Sequence, residues 1–190
     1  MIVLILAAGR GSRFTESGGL GHKLDAVIGG ESMLTHVMRA VVSAGLESLV
    51  VRPASGTPGM GASIAMGVRA TASAEGWLIL PGDLPLVSAD TIRAVAEAMR
   101  QSPIVVPCYQ RQRGHPVGFQ RCYYTELSSL QGNQGAAAIV REGLRLGSVH
   151  EVSVDDPGAV IDVDTKDELV AVKRLFEQRQ QAECMTHGKH

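Results

Sequence analysis

Aromatic side chains are scarce in this sequence: Phe, Trp and Tyr make up 4% of its 190 residues, whereas hydrophobic residues as a whole make up 45%. The interior must therefore consist of Val, Leu, Ile and Ala, a composition typical of the buried parallel strands of α/β proteins. An excess of either charge is also lacking, because the formal net charge is −1. No overall field attracts the chain to nucleic acid or to an anionic membrane, so a binding site for an anion must come from a local group of Arg and Lys.

Cysteine pairs and long apolar runs are absent as well. Cys108, Cys122 and Cys184 are odd in number and share no CxxC spacing, which argues against a disulfide framework and against a structural zinc site. No stretch approaches the roughly 20 apolar residues of a membrane span, and the apolar start of the chain follows no basic segment. We therefore expect a cytoplasmic protein whose partners include neither nucleic acid nor a membrane.

Strand patterns and helix patterns alternate along the chain, which predicts a single α/β domain with a mostly parallel sheet. We place this domain at residues 1–180, and we expect the polar residues 181–190 to form a frayed tail. The clearest helix pattern lies between Met33 and Gly45, and Ser88 is the expected cap of a later helix. Predicted strands include residues 2–6, 48–51 and 77–80, and the last predicted helix covers residues 165–180.

The segment AAGRGSRF, residues 7–14, comes directly after the first predicted strand. In an open α/β sheet, ligands bind at the carboxyl ends of the strands, where a glycine-rich turn lets backbone N–H groups reach a phosphate. Gly9 and Gly11 permit such a turn, and Arg10 and Arg13 carry donors that match phosphate oxygens. The segment lacks the third glycine of a GxGxxG motif, and no Walker A sequence occurs in the chain. A glycine turn with solvated arginines is the alternative.

Two acidic segments could complete a site for a nucleotide and a metal ion. Asp83, in GDLPL, comes directly after a buried strand, and hard cations such as Mg²⁺ prefer carboxylates together with substrate phosphates. In DVDT, the alternation of an extended chain places Asp162 and Asp164 on the same side, so either could be a second ligand. The alternatives are structural: Asp83 as the cap of a turn and Asp164 as the cap of the last helix.

Six motifs occur in order along the chain: LAAGRGSRF, a following lysine at position 23, GMGAS, GDLPL, GHPVGF and DVDT. Together they resemble the molybdenum cofactor nucleotidyltransferase family, a branch of the nucleotide-diphospho-sugar transferase (GT-A-like) fold, over most of the chain. Within that family the sequence is most similar to molybdopterin cytidylyltransferases and to accessory proteins of molybdenum hydroxylases. The resemblance implies a three-layer Rossmann-like domain that transfers CMP from CTP to molybdopterin, releases pyrophosphate, depends on Mg²⁺ and serves a molybdenum hydroxylase.

The resemblance also implies roles for individual residues. Arg13 and Lys23 hold the triphosphate in this scheme, with Asp83 as the principal Mg²⁺ ligand and Asp164 as the second. The alanines of LAAG resemble the cytidylyl-transferring members of the family, whereas guanylyl-transferring members tend to carry LAGG. The residues expected to contact the nucleotide are Leu6, Ala7, Ala8, Gly9, Arg10, Gly11, Gly61 and Ser63.

The acceptor in this scheme is the terminal phosphate of molybdopterin, which is anionic at neutral pH and requires no general base. We expect it to be held by Arg111, Arg113 and His115, which lie together in RQRGHPVGF. A single histidine is more often structural than functional, and that is the alternative for His115.

Two departures from the family pattern border the expected site. Only seven residues, 52–58, lie between the second predicted strand and GMGAS, so we expect a sheet that is one α/β unit shorter than usual. Ten positions separate Arg13 from Lys23, and the insertion TESGGLGH could move the lysine away from the phosphates. Three other functions stay open: guanylyl transfer, nucleotidyl transfer to a sugar phosphate, and non-catalytic binding of the molybdenum cofactor.

Overall fold

The computed structural model describes residues 1–9 and 11–187. Helices and strands alternate as the sequence predicts, with several short elements that it does not predict. The strands are β1 (Ile2–Leu6), β2 (Val27–Ile28), β3 (Glu31–Ser32), β4 (Glu47–Val51), β5 (Gly76–Pro81), β6 (Ile104–Tyr109), β7 (Gln112–Arg113), β8 (Val117–Gln120) and β9 (Val149–Ser153). The helices are α1 (Ser12–Glu16), α2 (Met33–Ser43), α3 (Met60–Ala70), α4 (Ala89–Ala98), α5 (Tyr124–Ser128), α6 (Ala137–Leu146) and α7 (Lys166–His187), and short 3₁₀ turns cover Lys23–Asp25, Arg121–Tyr123 and Pro157–Ala159.

In the described residues, seven strands form one sheet in the order β4-β1-β5-β8-β6-β7, and β9 also pairs with β6. β1 runs parallel to β4 and β5, and β6 runs parallel to β9. β7 and β8 are antiparallel to β6, because the chain returns from β6 through a short hairpin, whereas a parallel return needs a crossover of about a dozen residues. The predicted mostly parallel α/β sheet is confirmed, with β7 and β8 as its antiparallel members.

Helices cover both faces of the sheet, which produces three layers. Val3 and Ile5 of β1 pack into one hydrophobic cluster with side chains from α2, α4 and α7. Leu4 points to the opposite face and packs into a second cluster with side chains from α3 and α5. All three side chains are fully buried, so β1 is buried on both faces, as its uninterrupted apolar sequence predicts.

The long helices begin and end where the local sequence allows it. Ser88 Oγ accepts a hydrogen bond from the N–H of Thr91 at 3.1 Å, which confirms Ser88 as the cap of α4. α7 continues to His187, beyond the predicted end at Gln180. Neither glycine nor proline occurs between residues 166 and 187, so the sequence contains no residue that would stop this helix earlier.

The connection between β4 and α3 is short and irregular. Residues 52–59 contain no helix or strand, and β4 is therefore an edge strand of the sheet as far as the described chain shows. This leaves the loop after β4 free to border the carboxyl end of β1, its neighbour in the sheet.

Two further sequence predictions concern membrane segments and cysteines. Across residues 1–9 and 11–187, no helix is both long and apolar enough to cross a membrane. Cys108 and Cys122 are free thiols, and the side chain of Cys184 lies outside the described ones.

Candidate active site

The candidate site lies at the carboxyl ends of β1 and β5, which are neighbouring parallel strands. After β1, the buried Ala7 continues the strand pairing, since its N–H donates to Val51 O at 3.0 Å. Gly11 then adopts a left-handed conformation, with φ of 62°, at the start of α1. A Cβ at this position would lie 3.0 Å from Lys23 Cβ. Gly11 therefore meets both requirements that favour glycine, a positive φ and a close approach.

Lys23 reaches the site in spite of the insertion that precedes it. His22 joins the end of the insertion to the loop after β1, because its Nε2 lies 2.9 Å from Gly9 O. Its Nδ1 accepts a hydrogen bond from the N–H of Leu24 at 3.2 Å, so Nε2 carries the proton and donates to Gly9 O. The insertion TESGGLGH thus folds back beside the glycine-rich loop, and Lys23 stays next to the strand ends.

Three carboxylates converge on the same place. Asp83 follows β5, and its backbone O accepts a hydrogen bond from the N–H of Val163 at 3.0 Å, which holds the DVDT segment against this loop. Val163 is buried, and its neighbours Asp162 and Asp164 point together to the opposite side, as the alternation of an extended chain predicts. Ligand oxygens of Asp83, Asp162 and Asp164 lie within 4.8 Å of one another.

Asp164 is available to this site because it does not cap α7. Thr165 Oγ1 accepts from the N–H of Glu168 at 3.3 Å, and the Glu168 carboxylate accepts from the N–H groups of Asp164 and Thr165 at 2.7 and 2.8 Å. This reciprocal arrangement is a capping box, with Thr165 as the cap. The capping alternative for Asp164 is therefore wrong, and its side chain is left to pair with cations.

Two cations meet the carboxylates at different depths. Lys23 Nζ donates to Asp83 Oδ2 at 2.8 Å and to Asp164 Oδ1 at 2.9 Å, whereas Arg13 donates to Asp164 Oδ2 at 2.7 Å. The Lys23 side chain is 12% exposed and the Arg13 side chain is 75% exposed. Lys23 is thus the inner cation of the site and Arg13 the outer one. The structure brings together all four residues that were predicted to bind triphosphate or metal, together with Asp162, the alternative second ligand.

The pKa values of these groups follow from their surroundings. Burial alone would lower the pKa of Lys23, but the attraction of Asp83 and Asp164 outweighs it, and the pKa is raised. The hydrogen bond from Lys23, with further attraction from Lys23 and Arg13, lowers the pKa of Asp164. Burial, followed by repulsion from Asp83 and Asp164, raises the pKa of Asp162. Asp162 therefore carries the negative charge that the two cations balance least.

The donor set fits a hard divalent cation. Mg²⁺ and Mn²⁺ are bound by carboxylate oxygens, water and substrate phosphates. In the described part of the chain, the group that could hold a metal ion consists of three carboxylates and contains neither thiol nor imidazole. Asp83 and Asp164 were predicted as metal ligands, with Asp162 as the alternative to Asp164, and the structure places all three in one group.

A cleft of about 480 Å³ opens beside the glycine-rich loop. Arg52 stands at its wall and donates to both oxygens of Asp25, at 3.0 to 3.1 Å, which holds the planar guanidinium in one orientation. Sequence reasoning missed Arg52, although it comes directly after a parallel strand, where ligand-binding side chains are expected. It also missed His22, for which the sequence carries no local signal. The cleft is lined by Ala7, Ala8, Gly9, His22, Arg52 and residues 53–56.

Gly61 and Ser63 lie behind this cleft rather than in its wall. The N–H of Gly61 donates to Gly132 O at 2.8 Å. Ser63 is 3% exposed, and its hydroxyl bonds to Thr57 Oγ1 at 2.6 Å and to Gly59 O at 3.1 Å. Ser63 therefore fixes the loop after β4 to the start of α3, and Gly61 joins the start of α3 to the loop at Gly132. Direct contact with the nucleotide stays a prediction for both residues.

Two further residues predicted to contact the nucleotide belong to the strand end and its loop. Leu6 ends β1, and its backbone O accepts from the N–H of Gly82 at 2.9 Å, so it ties the loops after β1 and β5 together. Arg10 lies outside the described residues, and its contact with the nucleotide stays a prediction.

The residues of the predicted acceptor group lie on the β6–β7 hairpin and directly after it. Arg111 and Arg113 are exposed on the β6–β7 hairpin, where Arg113 pairs with Glu151, and both arginines line a second cleft of about 530 Å³. His115 is not in its wall; it is half-buried, and its backbone N–H donates to Ala159 O at 2.9 Å. Burial lowers the pKa of His115, against an attraction from Asp83. The role of all three residues in binding the acceptor stays a prediction.

At the carboxyl ends of the parallel strands, the structure brings together a glycine-rich loop, two cations and three carboxylates. This arrangement suits a nucleotide with its phosphates and a metal ion. The chain belongs to the MobA-like NTP transferase domain family, whose model matches residues 3–149. The match includes Arg13, Lys23 and Asp83, whereas Asp162 and Asp164 lie beyond it. No curated protein matches the sequence.

Several solved structures share the fold. Rv0371c from Mycobacterium tuberculosis H37Rv superposes with a TM-score of 0.74 and 23% identity, over 92% of this chain and 98% of that chain; it has also been solved with manganese. A nucleotidyl transferase from Methanothermobacter thermautotroptrophicus (Mth528) superposes with a TM-score of 0.75 and 22% identity, over 94% and 98% of the two chains. A CMP:2-keto-3-deoxy-manno-octonic acid synthetase, solved with CTP, has a TM-score of 0.59 and 18% identity over 94% and 98%.

Proposed function

We propose that this nucleotidyltransferase transfers CMP from CTP to molybdopterin, with release of pyrophosphate and with Mg²⁺ as the metal ion. The observation that carries the proposal is the group of Lys23, Arg13 and three carboxylates beside the glycine-rich loop. The acceptor is supported by the order of motifs shared with molybdopterin cytidylyltransferases. The nucleotide and metal are supported by the CTP and manganese in the structures of two proteins with this fold.

Different residues bind the triphosphate, the nucleoside and the metal ion. Arg13 and Lys23 neutralise the triphosphate, and the loop after β1 offers backbone N–H groups to its oxygens. Ala7, Ala8 and Gly9 border the nucleoside from the wall of the 480 Å³ cleft. Asp83, Asp162 and Asp164 hold the metal ion, which when bound neutralises charge that develops on the phosphate oxygens.

The transfer requires no general base from the protein. A phosphate oxygen of molybdopterin, largely ionised at neutral pH, attacks the α-phosphorus of CTP. A new P–O bond forms while the bond from the α-phosphorus to the bridging oxygen breaks, and that electron pair leaves with pyrophosphate. Positioning and charge neutralisation supply the catalysis.

The acceptor approaches from the side of the β6–β7 hairpin. Arg111 and Arg113 bind its anionic phosphate in the second cleft, and His115, nearer to Asp83, offers a hydrogen bond without a charge because burial lowers its pKa. The product is destined for a molybdenum hydroxylase, the partner that the family resemblance implies.

The proposal is tested by incubating the purified protein with Mg²⁺, fresh molybdopterin and each of the four NTPs, and by following pyrophosphate release. We expect turnover with CTP and little with the others. A clear preference for GTP would overturn the choice of nucleotide. Binding of nucleotide and molybdopterin with no turnover under any condition would identify a carrier instead, and turnover with a sugar phosphate alone would replace the acceptor.

A further inference from the structure

The inner cation of the site contacts two of the three carboxylates that could hold a metal ion. Lys23 Nζ lies 2.8 Å from Asp83 Oδ2 and 2.9 Å from Asp164 Oδ1, and both carboxylates belong to the group whose ligand oxygens lie within 4.8 Å of one another. An ammonium group and a divalent cation both bind to the lone pairs of these two carboxylates, and they repel each other at such distances. A metal ion bound by Asp83 and Asp164 therefore weakens both hydrogen bonds of Lys23 through the repulsion between the two cations.

Arg13 can be compared with Lys23, because both are cations that contact carboxylates of this site. It contacts Asp164 alone, from the solvent side, and its side chain is 75% exposed against 12% for Lys23. Water screens a charge in that position strongly. A metal ion held by the carboxylates would disturb Arg13 far less than Lys23, although the two residues carry the same charge.

We propose that Lys23 competes with the divalent metal ion for Asp83 and Asp164, and that binding of the metal ion releases the lysine towards the triphosphate. The inference rests on the proposed function, since it describes how the metal ion and the triphosphate replace the present partners of Lys23 in that site. It implies that the metal ion alone binds weakly and that metal ion and nucleotide bind cooperatively. The reason is that the triphosphate offers the displaced ammonium group a new partner.

The first experiment measures Mn²⁺ binding without nucleotide by isothermal titration, in the full chain and in the Lys23→Met and Arg13→Met variants. We expect Lys23→Met to bind Mn²⁺ at least about tenfold more tightly than the unchanged chain, because an inner competing charge is removed. Arg13→Met should change the affinity only about twofold, because its charge is screened. In the presence of Mn²⁺, Lys23→Met should bind CTP more weakly, so the same variant moves the two affinities in opposite directions.

A second measurement uses the unchanged chain and does not depend on folding of the variant. Reductive methylation with mass spectrometry reports how accessible the Lys23 amine is, and we expect saturating Mn²⁺ without nucleotide to increase its labelling severalfold. Lys166 and Lys173, exposed on α7, serve as internal controls that Mn²⁺ should leave unchanged.

The outcomes separate this inference from the proposed function. Mn²⁺ binding of equal strength in the unchanged chain and in Lys23→Met, or Lys23 labelling that saturating Mn²⁺ does not alter, would overturn the competition and leave the metal role intact. Equal gains in Lys23→Met and Arg13→Met would also overturn it, since they would show a general charge effect. Absence of Mn²⁺ binding in every protein would refute the metal role itself, and the inference would fall with it.

Discussion

The candidate site has a phosphate side, formed by Lys23, Arg13 and the three aspartates, and a proposed acceptor side, formed by Arg111 and Arg113. The charged side chains of the two sides differ in exposure and in pairing. On the phosphate side, Lys23 is 12% exposed and lies between two carboxylates. On the acceptor side, Arg111 and Arg113 are exposed, and Arg113 pairs with the partly exposed Glu151. Removing one partner from a buried ion pair lowers the free energy of unfolding strongly, whereas an exposed ion pair contributes little to it. The comparison predicts that loss of a charge lowers stability more on the phosphate side than on the acceptor side.

The largest effect is expected on the phosphate side, from Asp83→Asn. Loss of this carboxylate removes a metal ligand and one partner of Lys23, so the rate of pyrophosphate release should fall by about 10³-fold or more. The fold should be kept, because the hydrogen bond from Val163 goes to the backbone O of Asp83. Asp90→Asn, which changes an exposed aspartate on α4, is the matched control and should retain full activity. A rate within about tenfold of the unchanged chain for Asp83→Asn would contradict the metal role of Asp83.

The next effect concerns two aspartates that share one segment and differ in pairing. Asp164→Asn removes the partner of Lys23 and Arg13, and the free energy of unfolding at pH 7 without metal should fall by about 2 kcal/mol. Asp162→Asn removes a charge that Asp83 and Asp164 repel, and it should raise the free energy of unfolding by less than about 1 kcal/mol. Urea denaturation measures both changes. If both variants changed the free energy of unfolding in the same direction, the pairing of Asp164 with cations and the repulsion of Asp162 would be contradicted.

The pH dependence of unfolding of these two variants tests whether each ionised carboxylate stabilises or destabilises the fold. The pKa of Asp164 is lowered, so its ionised form stabilises the fold above the unfolded pKa of about 3.9, and this stabilisation disappears as the pH falls through the lower folded value. The pKa of Asp162 is raised, so its charge destabilises the fold near neutral pH, and the penalty disappears as the pH falls from the raised value towards the unfolded one. Denaturation at decreasing pH should therefore bring Asp162→Asn level with the unchanged chain first and Asp164→Asn only in stronger acid.

The smallest structural effect is expected on the acceptor side, from Arg113→Ala. Its ion pair with Glu151 is exposed, so the free energy of unfolding should change by no more than about 0.5 kcal/mol. The KM for molybdopterin should rise severalfold, while the affinity for CTP stays the same. Glu151→Gln, which frees Arg113 without removing it, should leave the KM for molybdopterin unchanged or lower it. A weaker affinity for CTP with an unchanged KM for molybdopterin would place Arg113 on the wrong side of the site.

Residues whose role depends on the end of a strand could be predicted from the sequence. Asp83 follows an unmistakable buried strand, and the rule that ligands bind at the carboxyl ends of parallel strands applied without further information. The same rule could have found Arg52. His22 could not be found in this way, because its importance comes from one contact with Gly9 O, 13 positions earlier in the chain.

Trp77, Phe14 and Phe119 are the largest fully buried side chains, so the expected interior of Val, Leu, Ile and Ala also contains aromatic rings. The sequence by itself determined the alternation of strands and helices and the residue types that meet at the strand ends. These features follow from propensities and hydrophobic periodicity, which act over a few neighbouring residues. Only the tertiary structure decided which charges pair: Lys23 lies between Asp83 and Asp164, 60 and 141 positions away, and Thr165 rather than Asp164 caps α7. The physical reason is that hydrogen bonds and strong ionic attraction act over a few ångströms in space, and distance along the chain does not determine that separation.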